Sequence, residues 1–383
     1  MRLQRTHMVL AAGILLAGCG GLKLQQVLRP GESDWPMFGR TETRANVAPM
    51  TITPPLSEVW KYDVTGGIGA GSPVVVDSVL LVGNLRGELH AVNTFTGRRL
   101  GWVGLGDAIE GSPVLDGGDA IVAISNSRES LLSLELATGR IVWTKEYGDI
   151  ASSPLLLQKR IYVGNLAGKF FCISREDGNM EWTFSLPENT KRKGIRSSPA
   201  ASANTVLFGA DDGTVYALDA TTGERRWTYE AGAPVVATPV IADSAVFVGT
   251  LDGSFHAVDL ESGLSRWVVQ TGTAIYAGAA VSGHVVLIGS TGGNLFALDT
   301  RSGKQLWKTN LGSVINAGAV VSGSTAFVGT LNKFLFAVAI GDGSIVWKYE
   351  MQGRIKTPVV VARDRLFVAT DDRTITAFQG GGL

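Results

Sequence analysis

Ala217-Leu218-Asp219-Ala220-Thr221-Thr222-Gly223-Glu224-Arg225-Arg226-Trp227 recurs in outline 40 residues later at Ala257, Asp259, Gly263 and Trp267, and again at Ala297, Asp299, Gly303 and Trp307. An aspartate here can accept the amides of a tight turn, and the glycine permits a positive φ. The tryptophan offers a large flat surface to bury between neighbouring units. The same spacing extends in both directions. Tryptophans stand at Trp60, Trp102, Trp143, Trp182, Trp227, Trp267, Trp307 and Trp347, separated by 42, 41, 39, 45, 40, 40 and 40 residues. A fixed period of this length is the signature of a repeat architecture.

Within a unit the local pattern is β. Most units open on Ser-Pro or Thr-Pro, as at Ser72-Pro73, Ser198-Pro199 and Thr357-Pro358, and two carry Gly278-Ala279 and Gly318-Ala319 instead. Short apolar runs follow, such as Val246-Phe247-Val248 and Val285-Val286-Leu287-Ile288, bounded by glycine and aspartate. No long run has helical period after the first twenty residues. About forty residues hold four strands of five or six residues with their turns, which is one blade of a β-propeller. Eight units begin with an inner strand, near residues 72, 112, 153, 198, 238, 278, 318 and 357. The last ends at Phe378 without a tryptophan strand, and Glu58-Val59-Trp60-Lys61-Tyr62 has no inner strands before it. The expectation is an all-β, eight-bladed propeller over residues 56–383, closed by pairing the N-terminal strand with the C-terminal blade, which removes exposed edges.

Composition agrees with many tight turns. The 383 residues include 49 glycines without a G-X-Y period, and 34 basic residues balance 34 acidic ones. Net charge of zero, without a basic stripe, argues against nucleic acid as a partner.

The chain opens with Arg2 and Arg5, then an apolar run from Met8 to Ala17 that is too short to span a bilayer and reads as a signal peptide over 1–18. Leu16-Ala17-Gly18-Cys19 resembles the lipobox of bacterial lipoproteins, which implies cleavage before Cys19 and acylation of its thiol. Gly20 after the cysteine matches the enteric pattern for outer-membrane sorting, so the propeller is expected in the periplasm on a lipid anchor. Residues 19–55, with five prolines from Pro30 to Pro55, read as the lipidated N-terminus and a tether. Asp34-Trp35-Pro36-Met37-Phe38 within it is expected to pack on the propeller surface. Cys172 is the remaining cysteine and stands where other units mostly have alanine, so it reads as a small core residue.

The pattern Ala-x-Asp-x-x-x-Gly-x-x-x-Trp resembles the tryptophan-docking motif of pyrroloquinoline-quinone (PQQ)-type propellers, over residues 56 to 383. WD40 repeats share the period but carry a Gly-His and a Trp-Asp pair; here the repeat tryptophans are followed by lysine, valine or threonine, and no Gly-His stands at the right offset. The motif residues, with Asp219, Asp259, Asp299 and the eight tryptophans, are structural on this reading. The motif is degenerate elsewhere: Asn93 or Glu135 takes the aspartate place, and Trp102 sits one residue late.

The resemblance raises a PQQ-dependent dehydrogenase as one reading. Such enzymes add vicinal cysteines, calcium ligands and a catalytic aspartate in long insertions. This chain has no adjacent cysteines and no Cys-x-x-Cys-His site. His90 and His256 occupy equivalent positions four blades apart, so they cannot share a metal ion. No catalytic residue, metal or cofactor is expected.

Recognition by the propeller's faces remains. Repeat equivalence places Glu110, Tyr276, Asn316, Arg354 and Lys356 near one mouth of the channel. The 45-residue spacing after Trp182 comes from the loop 187–194, whose Lys191, Arg192 and Lys193, with the nearby Arg196, suit an acidic partner. An eight-bladed lipid-anchored propeller of this length is similar to the propeller lipoproteins of the outer-membrane β-barrel assembly machinery. That resemblance implies a non-catalytic scaffold, a monomeric ring within a periplasmic or outer-membrane protein complex.

Overall fold

The computed structural model describes residues 21–24 and 26–381; the expected signal peptide and Cys19 lie outside them. The 32 strands among the described residues form eight antiparallel sheets of four. Blade 4 is representative, with strands Ala200–Ser202, Thr205–Gly209, Thr214–Asp219 and Arg225–Glu230 running outward from the axis in chain order. The others, numbered from the N-terminus, follow the same plan over 74–104, 114–145, 155–185, 240–270, 280–310 and 320–350. Blade 8 takes its three inner strands from 360–380 and its outermost from Leu56–Asp63, with Trp60 opposite Ala377. The two ends of the ring therefore meet inside one sheet, as the lone tryptophan strand at 58–62 predicts.

The repeat motif explains how neighbouring blades lock. Asp219 accepts the amides of Thr221 and Thr222 at 2.8 and 3.0 Å, fixing the turn. The Arg226 guanidinium, 2.7 Å away, holds its carboxyl down to about 2. Gly223 has φ +74°, and a Cβ there would lie 2.6 Å from the Trp182 indole of the preceding blade, so both backbone and contact demand glycine. The indole N–H of Trp182 then donates to the carbonyl of Ala220 at 3.3 Å. Trp60, Trp143, Trp227, Trp267 and Trp307 make the same bond to Thr94, Arg175, Leu260, Thr300 and Ile340. Trp347 has no such turn to dock on, because the third and fourth strands of blade 8 come from opposite parts of the chain. Its ring packs against Phe378 at 6.0 Å.

Trp102 corrects the expectation that all eight tryptophans dock. The register pairs Ala91 with Gly101 and His90 with Trp102, whereas Ala217 pairs with Trp227. One residue of displacement sends the side chain to the other face of the strand, where the ring stacks on His90 at 6.2 Å. Leu22 fills the vacated place: it is fully buried, and a Cβ on Gly101 would lie 2.9 Å from its Cα. The amide of Leu24 donates to Leu136 at 2.8 Å, the carbonyl equivalent to those the indoles use.

The segment expected as a tether is an integral layer. Trp35 is 0% exposed and exchanges two 2.8 Å bonds with Val75 in blade 1. From there the chain circles the end of the channel. Pro36, Glu42, Thr43, Ala45 and Asn46 accept amides of Leu115, Ala201, Ile241, Val281 and Val321 in blades 2, 4, 5, 6 and 7. Ser33 accepts that of Arg363 in blade 8, and Arg44 reaches the Pro154 carbonyl beside blade 3. The inner strand of each blade would otherwise leave its axial edge unpaired in a narrow space, which costs free energy comparable to a lost hydrogen bond. This strap pairs with the inner strands of blades 1, 2, 4, 5, 6 and 7, bonds just beside those of blades 3 and 8, and closes the channel at one end.

Candidate functional site: the open mouth of the channel

Each blade sends its second-to-third-strand turn, and its connection to the next blade, to the face opposite the strap. There the channel opens into a cavity of about 650 Å³ lined by Glu110, Arg196, Val236, Tyr276, Asn316 and Lys356 among others. A chamber of about 110 Å³ lies deeper, lined by some of the same residues and by Phe38 of the strap. The channel is therefore blind. Glu110, Tyr276, Asn316 and Lys356 come together as the repeat spacing predicts. Arg354 does not line the cavity: it donates to Asp371 at 2.6 Å, and Lys356 reaches the same carboxylate at 3.1 Å. Burial, and then the neighbouring Asp149, push the Glu110 carboxyl above its ordinary value. Tyr276 is half exposed on blade 6, across the ring from Glu110 on blade 2.

A second hollow, of about 660 Å³, adjoins the first. It lies between Pro187, Asn189, Thr190, Lys191 and Arg192 of the long loop and blade 4, whose Asp212, Tyr216, Arg225 and Glu230 form the other wall. The loop is pinned at its end, where Gly194 accepts the amide of Asp211 at 2.9 Å and Ile195 donates to Asn165 at 3.1 Å. Lys191, Arg192 and Lys193 are exposed. Arg196, which lines the channel mouth, pairs with Asp211, which lines the loop hollow, so one ion pair divides the two cavities. Residue spacing alone does not find this pair. Its signal is the doublet Asp211-Asp212 in a turn where the next blade has Leu251-Asp252.

His90 and His256 each accept or donate through Nδ1 to a tyrosine hydroxyl, Tyr62 and Tyr229, at 2.9 Å. Burial lowers both imidazole pKa values. They are packing groups between blades. Among the described residues no cluster of His, Cys, Asp and Glu could hold a metal ion. Cys172 is buried, and burial pushes its thiol up to about 12. Among the described residues the lining of the mouth includes the carboxylates and amides of Glu110, Asn126, Asp149 and Asn316 and no cysteine.

A closed ring of eight blades, six of them docked by a tryptophan on the next, with a blind channel, defines a PQQ-type repeat propeller that presents one open, charged face. The family model described as outer membrane protein assembly factor BamB matches residues 102–184, 182–314 and 297–381, and the chain belongs to that family. BamB of Escherichia coli strain K12 is 27% identical over 149 residues, 38% of this chain and 36% of its own length. The chain thus spans little more than a third of that relative in the aligned part. A quinohemoprotein alcohol dehydrogenase of Comamonas testosteroni is 24% identical over 282 residues, covering 51% of this chain and 39% of the enzyme. The crystal structure of BamB from Moraxella catarrhalis superimposes with a TM-score of 0.73 at 20% identity, over 85% of this chain and 99% of that one, which establishes likeness of fold.

Proposed function

We propose that this chain is a non-catalytic, lipid-anchored periplasmic propeller that holds a protein partner in outer-membrane protein assembly. Residues 1–18 are the signal, Cys19 the acylated N-terminus, and 56–383 the ring, a monomer within a larger complex. The observation that carries the reading is the long basic loop standing beside an open hollow on the mouth face, in a chain of zero net charge. Opposite charge across such a surface speeds encounter more than it deepens affinity. The partner's matching surface is acidic.

The test changes Lys191, Arg192 and Lys193 together to glutamate and measures association with a partner captured by crosslinking from native membranes. Association slows at low salt, the effect shrinks as salt screens the charges, and the melting temperature stays put. An unchanged rate would return the loop to plain solvated surface. Similarity to the Comamonas enzyme supports a quinoprotein as the second reading, and the lack of adjacent cysteines in the sequence weighs against it.

A further inference from the structure

We propose that the strap-side edge of blades 1 and 2 is a bilayer-contact surface, which rests on Cys19 being the acylated residue. Leu22 sits in the vacant tryptophan place and Leu24 is bonded to Leu136, so the chain is clamped to the ring at residue 22. Leu22 stands three residue steps from Cys19, with Gly20 and Gly21 between them. Fully extended those steps reach about 11 Å at most. A lipid-bearing Cys19 therefore holds this edge at the level of the phospholipid headgroups, where a flexible tether of thirty-odd residues would leave it free.

The surface around the clamp suits that neighbour. A hollow of about 510 Å³ is lined by Lys23, Gln26, Asn93 and Leu100, offering an ammonium, two amides and an apolar wall. Arg29 and Arg98 are exposed beside it, and so is Val27, at 61%. Cationic groups above exposed apolar side chains complement anionic headgroups over acyl chains. With that edge against the bilayer, the far side of the ring at blade 5 and the 187–194 loop on the opposite face both stand away from the lipid.

The test uses the full lipoprotein with Cys172→Ala, carrying one fluorescent label at Gln26→Cys, Asn189→Cys or Leu264→Cys. It is reconstituted into phosphatidylethanolamine–phosphatidylglycerol vesicles that contain headgroup nitroxide lipid. The label at 26 is quenched several-fold more than those at 189 and 264. Lys23→Glu, Arg29→Glu and Arg98→Glu together reduce that quenching without lowering the melting temperature. Mass spectrometry of the mature N-terminus reads the anchor separately. Equal quenching at the three positions in an acylated protein overturns the contact surface and leaves the anchor standing. An unmodified Cys19 overturns both.

Discussion

The Nε of Arg44 donates to the carbonyl oxygen of Pro199 at 2.9 Å, so a charged side chain of the strap ends on a neutral acceptor inside the ring. The same guanidinium serves Pro154 at 3.1 Å and the Phe38 carbonyl of its own segment. No carboxylate pairs with it directly. Burial pushes its pKa down to about 9, against a smaller pull upward from Glu42. The group spends its charge on joining blades 3 and 4 to the strap.

Arg44→Ala leaves three buried carbonyls without their donor. The expected loss is on the order of 3 kcal/mol, with Arg44→Lys losing less because one cationic donor survives. Denaturant unfolding of the two variants checks the ordering. Equal stability of Arg44→Ala and the parent would mean that the strap does not need this spoke.

Trp60 closes the ring. It is largely buried, its indole donates to Thr94 at 2.9 Å, and its ring meets Phe367 at 5.8 Å. Trp60→Ala is expected to cost about 3–5 kcal/mol. Removing residues 1–64 is expected to do worse, since the strand 374–380 then presents a free edge that recruits other chains. Thermal melting and light scattering report the two effects. A truncated chain that stays monomeric and equally stable would refute closure at this seam.

The buried imidazoles set a pH limit. Burial holds His90 and His256 below 6.5, while histidines of the unfolded chain titrate near that value. As pH falls below about 6.5 the unfolded state binds protons first, so this contribution is complete above that pH and is lost below it. Blades 6 and 7 carry Phe296 and Phe336 at the equivalent position, so His90→Phe with His256→Phe keeps a side chain the fold accepts. The double variant should lose less stability than the parent between pH 7 and 5. Parallel curves would show that other groups govern the acid side.

Incubation with PQQ and Ca²⁺ is expected to give neither a quinone absorbance shift nor dye-linked alcohol oxidation. The chamber beneath the mouth is small, and Cys172 lies within blade 3 rather than beside it. Micromolar binding would favour the quinoprotein reading and direct attention to Glu110 and Asn316.

Side-chain chemistry that repeats is legible in sequence. The tryptophan period yields the blade count, the closing seam and the ring of residues at the mouth. The strap is legible only at Asp34-Trp35-Pro36-Met37-Phe38, because most of its bonds to the inner strands run from main chain to main chain and leave no pattern of side chains behind. Trp35 marks a segment that packs on the ring, yet nothing in its spacing, or in that of Leu22 and Leu24, points to the eight inner edges. The late Trp102 was also visible. Its consequence, that another part of the chain must occupy the empty junction, needs the register to be seen.

Asp34 accepts from Arg363 at 3.2 Å across 329 residues, and the strap touches every blade between. Synthesis makes this segment before any blade exists. Its binding partners span the whole ring, so it can be fully seated only once every blade is in place. A ring missing any one blade offers it no complete seat. The strap is therefore a proofreader of blade number: a chain that has lost or gained a repeat could still stack its tryptophans, yet could not seat residues 33–48.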